Sequence, residues 1–527
     1  MNTLQTLPES PHNKGNDAPL PVRGDGDEAM KNESLKQRTA KGLVWGGLAS
    51  GTVQLLNALF GLVLLNKLSQ EDYGMIAVLV VFSNVAGCLQ ESGFTAALAN
   101  KKPARHEDYN AVFWFSVIIG AALYGLLFAT APLIADFYHE PKLLPLSRFV
   151  FLNFFITSIG STHYAYMFSN LMVKQNSIIN VTALLVSGIV GIVLAFAHFS
   201  YWALAVQNIT YVTVTLLLRW YYSPWRPTLQ LDLRPAWKMW GFSWKLLVQN
   251  LFLQLNVNVF AVLLGHFYTK RVAGIFAAAR KWDDMAVATI SGMVQGVAQP
   301  TFTQVDSTLP GREGGGEAAP LRAVFRKMLR FTCFLSFPCL FGMSLISEDF
   351  IHCLMPKWHQ SAPLLSILCL YGAFAPVTTL YSNLVISRGR STVNLLNTVT
   401  LCILIWIGLI ALHHRGVQTM TWYYVLVNTA WLAVWQWWAR RLIGLRFLHA
   451  ALDIMPFLIY SASVIAATWW LTSGMQAGWL RLAAKILTAI ILYIGLLWIS
   501  RAKILQESIG YITHTHRHEG KKSTGMA

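Results

Sequence analysis

From Gly42 to Ser500 the chain is a succession of apolar runs separated by short polar breaks. Each run has about 20 residues or more, enough to cross a hydrocarbon core of roughly 30 Å. Nothing in that core can hydrogen-bond an open backbone, so a spanning segment must be a helix or part of a closed barrel. Barrel strands would alternate polar and apolar residues, and these runs do not. Composition agrees, with 55% hydrophobic and only 12% charged residues, against about 25% charged in soluble domains. The expected fold is an all-α polytopic membrane protein. About fourteen spans can be placed, at 42–65, 73–97, 111–134, 145–168, 177–197, 201–221, 240–264, 272–298, 326–346, 362–386, 393–412, 421–439, 453–472 and 480–500.

Cations set the orientation. With the N-terminus in the cytoplasm, cytoplasmic segments carry Lys36, Arg38 and Lys41, then Lys101, Lys102 and Arg105, later Arg322, Arg326, Lys327 and Arg330, and Arg440, Arg441 and Arg446. Outside segments carry few, and Lys270 with Arg271 is the pair that runs against the trend. The positive-inside bias therefore places both termini in the cytoplasm of a bacterial inner membrane protein. It also accounts for the net charge of +17 without a nucleic-acid partner, since membrane lipids attract the same cations. Met1 to Ala29 is polar, lacks an apolar h-region, and reads as a disordered tail, with Met30 a second candidate start. The six cysteines are scattered with no CxxC pair, which argues against a disulfide framework or a zinc site.

An internal repeat is visible at an offset of 200. Gln54 matches Gln254, Phe60 Phe260, Leu64 Leu264, Gly74 Gly274, Ala77 Ala277 and Ala86 Ala286. Transporters are commonly built from such repeats, with the substrate site between them. The expected organisation is a tail (1–40), an N-terminal six-helix lobe (41–222), a cytoplasmic linker (223–239), a C-terminal six-helix lobe (240–442), two additional helices (452–500) and a cytoplasmic tail (501–527).

The eighth span contains "RKWDD", with Arg280, Lys281, Asp283 and Asp284 within five positions. On a helix turning about 100° per residue, Arg280 at 0° leaves Asp284 at about 40°, Lys281 at about 100° and Asp283 at about 300°. Ala278, Ala279, Trp282, Met285 and Ala286 occupy the other side, a surface suited to lipid or helix packing. Each charge at mid-bilayer costs roughly 2.5–3.5 kcal/mol, so the four must face a bundle interior or a water-filled cavity. Two readings remain open: pairing of Arg280 with Asp283 or Asp284 and of Lys281 with Asp284 at i+3 and i+4 spacing, or a functional polar wall. The seventh span adds a stripe of Lys245, Gln249 and Asn256 and another of Asn250, Gln254 and Asn258; the first has a seam of Gly47, Ser50, Gln54, Asn57 and Gly61. Such residues often only tie helices together, but here they recur on repeat counterparts and suggest a hydrated cleft.

Catalytic signatures are missing. His449 and Asp453 are one residue too close for an acyltransferase HxxxxD pair, no Walker A loop is present, and no metal-ligand cluster stands in a plausible context.

Several stretches, in order, are similar to one family: "EDYGMIAV" (Glu71 to Val78), "QESGFTAALANKK" (Gln90 to Lys102), "PWRPTLQLD" (Pro224 to Asp232), "VAGIFAAAR" (Val272 to Arg280), "QPTFTQV" (Gln299 to Val305), "MPKWHQSAPLLSILCLYG" (Met355 to Gly372) and "ISRGRSTVNLLN" (Ile386 to Asn397). They resemble the Wzx-type polysaccharide flippases of the MOP exporter superfamily, especially the colanic-acid and teichuronic-acid exporter branch, over roughly residues 36–500. The resemblance implies two six-helix lobes in a V plus two further helices, and an undecaprenyl-diphosphate-linked oligosaccharide carried across the inner membrane for lipopolysaccharide or exopolysaccharide synthesis, alongside polymerase and glycosyltransferase partners. It implies no catalysis and no cofactor. The charged cluster departs from the family's pattern, so its role is not carried over. On the implied substrate, Arg280, Lys281 and Lys245 are candidate diphosphate contacts, with Gln249, Asn256 and Gln54 lining the same cleft. Asp283, Asp284 and Glu91 are the candidates for coupling to H⁺ or Na⁺. The alternatives are a cation-coupled multidrug exporter of the same superfamily and a membrane-embedded glycan transferase.

Overall fold

The computed structural model describes residues 35–91, 98, 105–170, 172–230, 232–234, 251–252, 254–307 and 318–500. Every regular element among them is helical. In chain order these are α1 (Leu35–Lys67), α2 (Gln70–Glu91), α3 (His106–Phe137), α4 (Leu143–Ser169), α5 (Val173–Phe196) and α6 (Tyr201–Tyr222). There follow α7 (Val259–Phe267), α8 (Lys270–Ser307), α9 (Ala318–Leu354), α10 (Ala362–Gly372), α11 (Ala375–Ser387), α12 (Ser391–Leu412), α13 (Val417–Ala430), α14 (Leu432–Ile443), α15 (Phe447–Thr472) and α16 (Trp479–Ile499). Among the described residues nine helical segments are long and apolar enough to cross a membrane, α10 and α11 counting with their leading 3-10 turn as one.

The span expected at 362–386 is thus broken in two. Pro376 stands in the first turn of α11, where it cannot donate to the preceding turn and its ring clashes with it. At the break, Ala373 O accepts from Ser336 Oγ at 2.6 Å, the kind of substitution a membrane helix needs when its ladder is interrupted. The span expected at 240–264 also departs from a plain helix. Asn258 leaves helical geometry (φ −100°, ψ 6°) immediately before α7, and its side-chain amide turns back to Gln254 O at 2.8 Å.

Packing separates the two parts of the chain. One large core draws on Val259 to Leu497, with Leu65 joining it from α1. Three smaller cores lie within 64–225. The main crossing between the parts is α2 against α8, and it falls on repeat-equivalent residues. A Cβ on Gly74 would strike Lys270 O, and one on Gly274 would strike Gln70 O. Only glycine lets the two backbones approach this closely. The caps match as well. Ser69 and Asp72 exchange bonds at 2.8 and 3.1 Å as a capping box for α2, and Thr269 Oγ1 accepts from Val272 N at 3.4 Å at the start of α8.

At this end of the bundle, side chains of each part bind backbone carbonyls of the other. Asn66 Nδ2 donates to Leu354 O (2.8 Å), Trp358 Nε1 to Leu65 O (2.6 Å), Gln70 Nε2 to Lys357 O (2.7 Å) and Lys357 Nζ to Asn66 O (3.1 Å). His266 stacks on Phe137 with ring centres 4.2 Å apart. The cations that ran against the charge bias belong to this latch: Lys270 pairs with Glu140, and Arg271 Nε donates to Gln70 Oε1 at 2.7 Å.

α15 and α16 are fastened to α9 by two buried carboxylates. Asp453 of α15, 4% exposed, is gripped by Arg326 at 2.6 Å and Arg330 at 3.0 Å. Asp349 of α9 is fully buried between Arg481 at 2.5 Å and Lys485 at 2.7 Å of α16.

Two outcomes follow from these contacts. Gly74→Val should force α2 away from α8, cost more than the about 1–3 kcal/mol of ordinary overpacking, because backbone, not a side chain, must move, and lower the melting temperature accordingly. Gly125→Ala, where an added Cβ meets nothing, should leave melting unchanged or raise it. Asp453→Ala leaves two arginines without their anion and should cost about 3–5 kcal/mol, most of it recovered when Arg326→Leu and Arg330→Leu are added; thermal unfolding in detergent measures both.

Candidate functional site

The charged segment of α8 does not form one wall. Lys281 and Asp283 lie about 160° apart on the helix, and tertiary contacts send them in different directions. Lys281 extends across to α1, where its Cε stands 2.9 Å from where a Cβ on Gly61 would be. It has no carboxylate partner among the described residues, so the expected Lys281–Asp284 pair is absent there. Asp283, 3% exposed, turns into the second part of the chain. Its Oδ1 abuts Gly372 of α10 and accepts no hydrogen bond there.

Between these two directions, Arg280 and Asp284 pair at i+4 spacing, Nε to Oδ1 at 2.8 Å. The Arg280 side chain is 19% exposed and that of Asp284 49%. The guanidinium also donates to Tyr424 Oη at 3.3 Å and lies 5.7 Å from that ring's centre. Tyr424 of α13 is itself fixed by edge contacts to Phe260 of α7 (5.4 Å) and Tyr371 of α10 (5.8 Å). Of the two pairings read from spacing, the structure selects Asp284 over Asp283. The opposite face is helix packing, with Ala278 and Ala279 fully buried and Trp282 7% exposed.

The polar residues of α1 and the α7 approach divide differently. Gln54 is half-buried on α1, two turns before the Gly61 that Lys281 meets and on the same face. Asn256 is half-buried, its Oδ1 enclosed and without a hydrogen-bond partner. Lys245 and Gln249 lie outside the described residues, as does the side chain of Glu91. Of the second stripe, Asn250 also lies outside the described residues, and the other two are brought together: Asn258 Nδ2 donates to Gln254, and Asn84 Nδ2 of α2 donates to Asn258 Oδ1 at 3.2 Å.

Sequence reasoning passed over Tyr424 and the lone asparagines Asn84, Asn153 and Asn208. For the asparagines a signal existed, since each interrupts an apolar run. For Tyr424, distant from Arg280 in sequence, none did. Asp453, set aside as a catalytic partner of His449, is consumed by Arg326 and Arg330. No group of three potential metal ligands occurs among the described residues.

Comparison with known proteins agrees with this architecture. By structure the chain is similar to the lipid II flippase MurJ in an inward closed conformation (TM-score 0.65, 12% identity, 88% of this chain and 100% of that one). It is also similar to an inward-facing multidrug resistance MATE transporter of the MOP superfamily (TM-score 0.58, 14% identity, 76% and 98%). These likenesses establish a MOP-type fold. By sequence it is 24% identical over 439 residues to the teichuronic acid biosynthesis protein TuaB of Bacillus subtilis (strain 168), covering 82% of this chain and 89% of that one. It is 24% identical over 364 residues to the lipopolysaccharide biosynthesis protein WzxC of Escherichia coli (strain K12), covering 68% and 71%. The profile of the family described as "Polysaccharide biosynthesis protein" matches residues 64–363; with more than half of its length inside that match, the chain belongs to this family of membrane proteins.

Proposed function

We propose that the protein is a flippase of the bacterial inner membrane. It moves undecaprenyl-diphosphate-linked oligosaccharide from the cytoplasmic to the periplasmic leaflet by alternating access, for assembly of a surface or extracellular polysaccharide. The observation that carries the reading is the Arg280–Asp284 pair, a guanidinium on a membrane helix whose counter-ion is half exposed. A carboxylate so exposed within a helix of an apolar bundle needs water beside it. An incoming diphosphate can therefore replace Asp284 on Arg280, exchanging one charge-assisted bond for a bidentate one. Lys281, without a carboxylate partner among the described residues, is the second cation within reach of the α1–α8 boundary. The polyprenyl tail stays in the bilayer while the polar head crosses.

The named relatives that act in teichuronic acid and lipopolysaccharide biosynthesis and the likeness to a lipid II flippase support a lipid-linked glycan over a drug. The charge bias sets the α1–α2 end outside, which makes the latch of Asn66, Gln70, Lys357 and Trp358 the outer gate, closed here. The six-helix lobes at 41–222 and 240–442, the linker 223–239 and the added helices at 452–500 then act as the moving bodies, and fourteen spans with both termini inside complete the topology. Asp283 and Asp284 are the carboxylates proposed to couple movement to H⁺ or Na⁺. Glycosyltransferases would supply the substrate and a polymerase would consume the product.

Deleting the gene should stop surface polysaccharide while lipid-linked oligosaccharide accumulates on the cytoplasmic face; unchanged polysaccharide in a strain with no second flippase would refute the assignment. Arg280→Ala should abolish complementation, and Arg280→Lys should restore it only in part, because an ammonium lacks the bidentate fork. Arg280→Ala with Asp284→Ala removes the ion pair symmetrically and should recover protein level without recovering transport. Full transport by that double variant would reduce the pair to a structural role.

A further inference from the structure

A second polar place lies apart from the charged cluster. A cavity of about 360 Å³ opens among α2, α4, α6 and the segment before α7. Its polar lining is Ser83, Asn84, Asn153, Thr157, Asn208 and Gln254. None of the described residues that line it is charged. Their internal bonds leave much unspent. Thr157 Oγ1 donates to Asn153 Oδ1 at 3.0 Å, leaving the Asn153 amide N–H groups without a partner among the described residues. Asn84 uses its Nδ2 on Asn258, leaving its own carbonyl oxygen open. Gln254 Oε1 accepts from Asn258 at 3.3 Å, leaving its N–H groups open. Asn208, exposed on α6, makes no hydrogen bond to any described residue.

Polar groups on membrane helices are costly unless satisfied, so four side-chain amides around one void point to a bound polar partner. Charge decides which kind. Without a cation the cavity is a poor host for phosphate, and without a carboxylate it is a poor host for a metal ion, for which the void is also too large. Amides that present both donors and acceptors match hydroxyl and acetamido groups, which do the same. We infer that this cavity binds the sugar part of the substrate, a neutral saccharide held by Asn84, Asn153, Asn208 and Gln254; the inference rests on the flippase reading above. Its position suits that division of labour. Gln254 and Asn258 lead directly into α7, where Phe260 stacks on Phe276 of α8 at 4.3 Å and meets the edge of Tyr424, the residue that holds Arg280. The two subsites are thus linked through α7 and the Phe260–Tyr424 contact.

The test uses the purified full-length protein and two probes: lipid-linked oligosaccharide extracted from the producing cells, and bare undecaprenyl diphosphate. Wild type should bind the glycan-bearing probe more tightly. Asn208→Ala, which breaks no bond to a described residue, and Asn153→Ala, which gives up the bond from Thr157, should each weaken that probe by about tenfold, the scale of one well-made hydrogen bond, while binding of bare undecaprenyl diphosphate stays unchanged and the melting temperature of Asn208→Ala stays at the wild-type value. Arg280→Ala should weaken both probes. Equal loss on both probes, or no loss on either, in the asparagine variants overturns the saccharide site while leaving the flippase reading intact. So does a change only in the difference between sodium and choline chloride, which would mark a cation site. Failure of wild type to bind either probe overturns the flippase reading itself, and the subsite with it.

Discussion

A polar group inside a hydrocarbon layer has no water to fall back on, and the organisation of this chain depends on that constraint. It compels every described regular segment to be a helix, whose backbone satisfies itself. Where a helix is interrupted, as at Ala373, a side chain completes the ladder. Where a charge enters, it is met by an opposite charge: Asp453 by Arg326 and Arg330, Asp349 by Arg481 and Lys485. Polar groups left outside this scheme are the conspicuous ones. Lys281, Oδ1 of Asp283 and the amides around the α2–α4–α6 cavity are incompletely matched, and the Arg280–Asp284 pair beside them is half exposed at its anion.

That boundary is built for closeness at one end. The Gly74–Gly274 crossing brings two backbones together without side chains between them, and neighbouring side chains bind carbonyls across it. Bonds of this kind are individually modest, about 0.5–1.5 kcal/mol net, and each can be exchanged for water. A latch made of many weak, hydratable bonds can open, whereas the doubly clamped α9–α15–α16 assembly cannot without stranding a charge. The distribution of bond types therefore separates a movable contact from a fixed one, as alternating access requires.

Much of the architecture was legible in the residues themselves. Run length and low charge dictated membrane helices, because hydrophobic thickness and backbone satisfaction are local demands. The repeat at offset 200 was legible too, and Gly74 with Gly274 shows why it persists in these positions: both members of the pair meet at the crossing. The charged segment of α8 stood out by cost alone. Spacing could offer Asp283 and Asp284 equally to Arg280, since both lie within reach on an isolated helix.

What only the tertiary structure decided is where each charge turns and what receives it. Tyr424, placed by Phe260 and Tyr371, draws the guanidinium toward Asp284, and Gly372 makes room for Asp283 on another side of the helix. Gly61 admits Lys281 on α1. These partners are far apart in sequence, and no periodicity encodes a contact between distant helices. The same holds for Asn84, Asn153, Asn208 and Gln254, each an unremarkable amide in its own helix. By itself the sequence determined that the chain lies in a membrane and that its charges must be sheltered; the packing of helix on helix determined which of them are neutralised and which remain open to a ligand.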